Sequence, residues 1–512
     1  MKKIFFILLG LCVIVSNVVH AQFVSLETAR QVAENFFLSQ MPLKRSISMQ
    51  VLPFGNREQP TMYAFSSPDG WVLVAGDKRV LPILAYSDEN SEAFPAEEDM
   101  PDGMIYLLEW YANQIEALRN ENLNRVFNPQ WEDYLDTNRR NTINRSVIVS
   151  PLLTRNGHEN AWDQSGNNGG NSISKSYNKF CPAIYDTISS CDHAVVGCVA
   201  VATSQIMWYW QWPYAAVVKD DNANQLVRNY NWKLMPYQLT DASSLEEADM
   251  VANLLHDVGV AVNMEYGCGA SSAVPDSISV QLRNTFSYYA ANLKKRSDYA
   301  NSTWISMIKS ELDSSRPVAY GGRRKVGTKY YGHRFVMDGY DSDNKFHINF
   351  GWGGTHHAYY SIDSIYNNYH YSQSMVMNIY PNYPSCSPTT IPSTDVWPTH
   401  FLIQNGGGIT IGNRTVTSGM QGVILSGEYV KLNSGFKVNA GAEVYIAIKD
   451  MHCDDDRGDA LEPIEDAPEI HYTPHRESAI DESPSATKHL RNGQVFIERN
   501  GKTYTATGAE IR

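Results

Sequence analysis

Between residues 147 and 383 the chain sorts its secondary structure by kind, with helical patterns first and strand patterns last. A helix starts at Cys198 within "VVGCVAVATSQIMWYW" (Val195–Trp210), Leu245–Val262 is another, and Val280–Tyr289 reads the same way. Only then come "PVAYGGR" (Pro317–Arg323), "HRFVMDGYD" (His333–Asp341) and "KFHINFGWGG" (Lys345–Gly354), apolar runs punctuated by glycine. A helical stripe and a sheet face must each be covered. This segregation therefore predicts an α+β domain with two unlike halves and a cleft between them.

The flanks differ from this block. Ser25–Gln40 carries Leu26, Ala29, Val32, Ala33, Phe36 and Phe37 at helical spacing, Gly70–Ser87 reads as strand, turn and second apolar segment, and Gly103–Asn120 is an amphipathic helix. Together they predict a small α+β unit closed by about residue 120, followed by an exposed, protease-sensitive stretch, "NRRNTINRS" (Asn138–Ser146). Beyond Ser385 the composition shifts. Gly408–Ile448 is short alternating β with turn glycines, a small all-β module; Asp450–Lys488 is an acidic, proline-bearing linker; Asn492–Gly508 is a hairpin turning at Asn500-Gly501. The expected division is 1–21, 22–145, 146–383, 384–449, 450–488 and 489–512.

Residues 1–21 read as a signal peptide, with basic Lys2 and Lys3, an apolar Ile4–Val15 core and a Val19-His20-Ala21 cleavage pattern. Leu11 before Cys12 does not fit a lipidation site, and no later apolar run is long enough to span a membrane, so export without an anchor is expected. A net charge of −13 argues against nonspecific nucleic-acid binding. Six cysteines follow the signal at spacings unlike a metal pair, and Cys386 and Cys453, which bracket one segment, are candidates to pair.

Cys198 is open to two readings. Alone it fits a buried, inert thiol. Gly197 before it and small residues after it also fit a nucleophile at a helix N-terminus, where free N–H groups favour thiolate and can stabilise an oxyanion. Such a thiol needs a base and a group to orient it. Among 14 histidines, His333 in "YYGHRFVMDGYD" opens a strand after Gly332, at a separation from Cys198 that suits a papain-like arrangement. Asn349 and Trp352 follow it in "NFGWGG"; an Asn amide can fix the imidazole tautomer and a Trp can shield the pair. Upstream, Gln164 in "WDQ" offers a neutral amide as oxyanion donor.

"WDQ", "GCVAVATSQIMWYWQWP", "YNWKLMP", "VNMEYG", "GHRFVMDGYD" and "INFGWGG" together resemble the streptopain family of secreted bacterial papain-like cysteine peptidases, over residues 147–383. "GWVLVAGDKRVLPILAYS" and the helix after it resemble that family's inhibitory propeptide. The resemblance implies a papain-like two-subdomain α+β fold and a secreted endopeptidase made as a zymogen. Its substrates are proteins or peptides, its own propeptide is its inhibitor, and it uses no metal or cofactor. It implies Cys198 as nucleophile, His333 as base and later acid, Gln164 as oxyanion donor, and either Trp352 or Asn349 in the third role. Gly197, Ala270, Ser271 and Gly332 would line the substrate site, with hydrophobic residues favoured two positions before the cut. The propeptide is expected to cover the cleft and disturb the Cys–His pairing.

Two departures stand out. Arg334 occupies a position where the family has a small residue, and "YGCGASSAV" (Tyr266–Val274) replaces a more glycine-rich pattern. A rival reading is a surface or matrix-binding protein whose catalytic fold is inactive; acyl transfer on the same site is a third. The last hairpin resembles the terminal segments of exported proteins of Bacteroidetes-type, Gram-negative bacteria, as a sorting tail or a plain β appendage. Arg457-Gly458-Asp459 is read as a chance triplet, the aromatic run Met207–Trp212 as helix packing, and His356-His357 as a surface loop.

Overall fold

The computed structural model describes residues 22–453, except 41–47, 57, 69, 88–92, 97–98, 121–125, 137–145, 165–171, 186–189, 327–328 and 363–370, and backbone strands between 487 and 511. The signal sequence, most of the processing stretch, nearly all of the acidic linker and the Asn500-Gly501 turn lie outside the described residues. The chain divides into two units. One gathers 1–170, 197–206 and 292–378; the other gathers 171–196, 207–291 and 379–512.

The first unit is built on one antiparallel sheet. Its elements are α1 (Leu26–Gln40), β1 (Gln50–Gly55), β2 (Pro60–Ser67), β3 (Gly70–Ala75), β4 (Ile83–Ser87), α2 (Asp102–Asn120), α3 (Gln130–Leu135) and β5 (Val147–Val149). They continue with α4 (Cys198–Trp210), whose last turn belongs to the other unit, then β6 (Asn292–Lys295), α5 (Asn301–Asp313), β7 (Val318–Val326), β8 (Lys329–Asp341), β9 (Lys345–Asn349), β10 (Ala358–Ser361) and β11 (Tyr371–Met377). The strand order is β1-β2-β3-β4-β10-β9-β8-β7-β11-β6, with β5 also pairing β8.

The N-terminal strands are thus an extension of the later sheet, joined where Tyr86 pairs Tyr359 and Ala85 pairs Tyr360. The seam is polar as well as apolar. The Tyr86 and Tyr359 rings stack at 5.0 Å, Tyr86 donates to Asp341 Oδ2 at 2.9 Å, and Tyr111 of α2 donates to the Ser361 carbonyl at 2.6 Å. β3 and β4 are buried along their whole length, which explains why they read as unbroken apolar runs rather than alternating ones. The N-terminal α+β segment of this unit closes later than residue 120, the boundary expected from sequence. Trp131 donates to the Val80 carbonyl at 2.9 Å and Asn35 to the Tyr134 carbonyl at 2.7 Å, so α3 belongs to it.

In the second unit the Leu245–Ala261 helix begins with a capping box, in which Ser244 Oγ accepts from Glu247 N and the Glu247 carboxylate accepts from Ser244 N. The helix expected over Val280–Tyr289 lies earlier, at Pro275–Asn284. Proline at its first position supplies a ready φ, and the chain has left the helix at Ser287, where φ is +57°.

The C-terminal module is all β, but its strands stack parallel. Thr389, Ile409 and Val430 lie one above another, as do His400, Gln421 and Glu443, making a three-coil solenoid. Its turns advance the chain instead of reversing it, a distinction that alternation in sequence does not carry. Ile409, Ile411, Val416, Ile424 and Ile446 fill the inside, and Cys386–Cys453 joins the start to the end. The alternate residues Val423, Leu425 and Ala447 point the other way and pack with Tyr214 and with Ala215 and Val227 of the 215–219/225–229 ribbon that follows it. The backbone strand 487–491 pairs 443–448 antiparallel and carries the last three strands. Among the described residues no helix is long and apolar enough to cross a membrane.

Leu425 is fully buried in that contact. Leu425→Ala should destabilise the second unit by roughly 2–5 kcal/mol, seen as an earlier urea transition. An unmoved midpoint would mean that the ribbon and solenoid do not share a core.

Candidate active site

Gly197, at φ +82°, turns the chain into α4 so that Cys198 is the first helical residue. Val199, Ala200, Val201 and Ala202 are all buried, so the first turn is fixed by packing while Cys198 itself is half-buried. Its thiol is hydrogen-bonded to the His333 side chain and to the backbone N–H of Arg334.

His333, 5% exposed, stands inside β8 rather than opening it, because Lys329–Gly332 already pair with Arg323–Val326 of β7. Its Nε2 faces the Phe350 carbonyl at 3.3 Å, which leaves Nδ1 for the thiol. Burial pushes the thiol pKa up and the imidazole pKa down, yet their mutual attraction and hydrogen bond outweigh it in both. The thiol ends below its ordinary value and the imidazole above its own, with Arg334 helping the thiolate and Asp102 and the Phe350 carbonyl helping the imidazolium. The arrangement favours a thiolate–imidazolium pair.

Arg334 does not spoil the site. Its guanidinium is buried and donates to the Ala319 and Ser374 carbonyls at 3.1 and 3.0 Å and to Ser374 Oγ at 3.0 Å, tying β8 to β7 and β11. Gln164 lies beside the pair: its Nε2 is 3.4 Å from His333 Nε2 and donates to the Phe350 carbonyl at 3.1 Å.

The hydrogen bond to the distal histidine nitrogen goes to neither of the two side chains expected there. Asn349 spends its amide on Asn160, Gln205 and Gly351, and the Trp352 indole N–H is buried without a hydrogen-bond partner among the described residues. A main-chain carbonyl, that of Phe350, sits opposite Nε2 instead. No residue type signals such an acceptor, because every residue has a carbonyl and only the turn decides which one faces the ring. The glycines do leave a trace: Gly351, Gly353 and Gly354 all have positive φ, and a Cβ on Gly351 would stand 2.8 Å from Val201 of α4.

The N-terminal segment reaches this site. A Cβ on Gly103, in the first turn of α2, would lie 2.4 Å from His333 Cδ2 and 2.6 Å from Phe350 Cδ1. One on Gly322 of β7 would lie 2.0 Å from the Tyr106 hydroxyl. The helix therefore rests against the histidine edge, and it does so with the Cys198–His333 hydrogen bond made rather than disturbed.

Gly332, next to His333, is exposed and pairs Arg323. Ala270 and Ser271 belong to the second unit. There Ser271 Oγ donates to the Val195 carbonyl at 2.5 Å and accepts from Gly267 N at 3.0 Å; Val195 N donates to the Gly267 carbonyl at 3.1 Å, and Cys191–Cys268 joins the same two stretches. Cys181 is free and buried, its pKa pushed up to about 12 chiefly by burial, so it is no rival nucleophile. His357 is not on a surface loop: it is 3% exposed, with Nδ1 3.1 Å from Glu159 Oε2. Burial works against the Glu159 charge, but His357 and His347 hold its pKa at about 2.

A lowered thiol pKa and a raised imidazole pKa set a bell-shaped activity profile. The pair is lost as pH falls through the thiol value and as pH rises through the imidazole value. On processed protein, iodoacetamide should alkylate Cys198 below the ordinary thiol range of about 8.5. His333→Ala should return that reaction to a single, higher ionisation; an unchanged profile would refute the pairing.

The Peptidase C10 family model matches residues 172–360, which include Cys198 and His333, and the Spi protease inhibitor model matches residues 21–115. Streptopain from Streptococcus pyogenes serotype M28 (strain MGAS6180) is 30% identical over 329 residues, covering 61% of this chain and 76% of that protein. The thiol protease/hemagglutinin PrtT of Porphyromonas gingivalis is 29% identical over 377 residues, 69% of this chain and 40% of its own length. Among solved structures, a fragment of Prevotella intermedia prointerpain A aligns with TM-score 0.47 at 24% identity, over 65% of this chain and 100% of that one. Active interpain A of the same organism aligns with TM-score 0.37 at 29% identity, over 45% and 95%. Together with the paired thiol and imidazole, the match across three quarters of streptopain shows that this chain belongs to the Peptidase C10 (streptopain) family, as a cysteine-type endopeptidase carrying its own propeptide inhibitor domain.

Proposed function

We propose that the protein is an exported zymogen that hydrolyses peptide bonds with Cys198 as nucleophile and His333 as base and acid. The observation that carries the assignment is the hydrogen-bonded Cys198–His333 pair with pKa values displaced in opposite directions. The thiolate attacks the peptide carbonyl, and the oxyanion lies between the Cys198 N–H at the start of α4 and the Gln164 amide. His333 protonates the leaving amine, then takes a proton from the water that hydrolyses the thioester. The Phe350 carbonyl holds the ring through both steps, while Trp352 shields it.

Residues 22–145 act as the inhibitory propeptide and 146–383 as the catalytic domain, with the cut between about Asn138 and Ser150; Arg139, Arg140 and Arg145 are the processing candidates. The helix resting on His333 through Gly103 supports inhibition by covering the base while leaving the pair formed. Ala270 and Ser271, with Gly197 and Gly332, line the substrate site and favour a hydrophobic residue two positions before the scissile bond. The N-terminal signal pattern supports export, and the likeness of the last hairpin to the terminal segments of exported Bacteroidetes-type proteins supports a Gram-negative cell, with the enzyme in the medium, on the surface or in the periplasm.

Cys198→Ala should abolish both casein digestion and self-processing of the full chain. Digestion by that variant would sink the nucleophile assignment. Gln164→Ala should lower kcat by roughly 10²–10³ with less effect on KM. A peptidyl epoxide separates enzyme from inactive binder: labelling of Cys198 supports the first and silence the second. Product analysis with an added amine distinguishes hydrolysis from acyl transfer.

Gly103→Val should crowd His333 and loosen the propeptide, giving faster processing by added wild-type enzyme. Processing at the wild-type rate would show that this contact does not hold the propeptide.

A further inference from the structure

We propose that Gln205, with Asn160 and Asn349, is a positioning network that fixes the nucleophile's helix against the carbonyl that orients the catalytic histidine. The proposal rests on the peptidase reading above and extends it to residues that touch no reacting atom. All three side chains are buried, at 0–1% exposure.

Gln205 and Asn160 belong to segments that carry a catalytic group, and Asn349 adjoins the carbonyl that orients His333. Gln205 lies seven residues after Cys198 on α4, close to two full turns, and so on the same helix face. Its Nε2 donates to Asn349 Oδ1 at 2.9 Å and to Asn160 Oδ1 at 3.0 Å. Asn349 ends β9 immediately before Phe350, and the same Oδ1 accepts from Gly351 N at 3.0 Å. Phe350 is thereby gripped on both sides, so its carbonyl cannot swing away from His333. Asn349 Nδ2 donates to the Asn160 carbonyl at 2.6 Å, and Asn160 Oδ1 accepts from Trp162 N at 3.2 Å. That strand of chain runs on to Gln164, whose own N–H donates to the Gly351 carbonyl at 3.0 Å.

One amide cluster thus sets three distances: nucleophile to base, base to its acceptor, and oxyanion donor to both. None of its members is ionisable, so its geometry holds across the pH range in which the thiolate and imidazolium titrate. An apolar cluster would resist sliding less, since hydrogen bonds are directional and packing is not.

The test compares kcat and KM across pH for full-length chains processed by a trace of wild-type enzyme, with thermal unfolding as a folding control. Gln205→Met keeps the bulk and removes the donor. The expected result is a fall in kcat of roughly tenfold to a hundredfold with KM little changed. The alkaline limb should also move to lower pH, because an imidazolium with a displaced acceptor releases its proton sooner. Wild-type kcat with an unmoved alkaline limb, or a rise in KM alone, would overturn the proposal.

Asn349→Asp provides the second arm should Gln205→Met not fold. It retains the Oδ1 acceptor for Gly351 and Gln205, so it should keep more of kcat than Asn349→Leu; equal losses of kcat in the two variants would overturn the proposal. Failure of the peptidase reading looks different: wild-type protein itself would then neither hydrolyse casein nor take up a peptidyl epoxide at Cys198.

Discussion

Keeping a thiolate beside an imidazolium in a largely dehydrated place is the constraint on which the rest of the first unit depends. Burial opposes both charges, so the pair survives only if each ion has further partners held still. For Cys198 these are the Arg334 N–H and the Arg334 charge; for His333 they are the Phe350 carbonyl and Asp102. The flanking architecture follows. The helix N-terminus, the β8 strand and the glycine turn after β9 each present one group, and the buried amides of Asn160, Gln205 and Asn349 connect the segments that carry them.

The propeptide uses the same sheet. It adds β1–β4 beyond β10, pairs through Tyr86 and Tyr359, and brings α2 to rest on His333 where Gly103 leaves no side chain in the way. Asp102, one of the groups that supports the imidazolium, belongs to this segment, so release of the propeptide changes the surroundings of the base as well as its exposure.

Much of this is legible in the chain. The helices α1, α2 and α4 and the strands β3 and β4 fall where periodicity places them, because each carries a long, strong pattern, whereas β8 starts at Lys329, ahead of the apolar run that opens at His333. Cys198, His333 and Gln164 do converge, since residue types with reactive side chains announce themselves. The closing helix at Gln130–Leu135 escapes such a reading because it is short, and the solenoid reads as ordinary β because parallel and antiparallel strands alternate alike. His357 reads as exposed, for nothing local indicates that Glu159 lies across from it.

The sequence by itself determined the chemistry: a thiol at a helix start, an imidazole within a strand pattern and an amide upstream, in an order that matches one family. Only the tertiary structure decided which atom orients the histidine. Asn349 and Trp352 were both chemically fit for that role, but the Gly351 turn and the Gln205 bond direct Asn349 into the interior and set the Phe350 carbonyl against the ring. Side-chain identity tells what a residue is able to do. Which backbone group it meets depends on how distant segments pack, and that information is distributed over the whole fold.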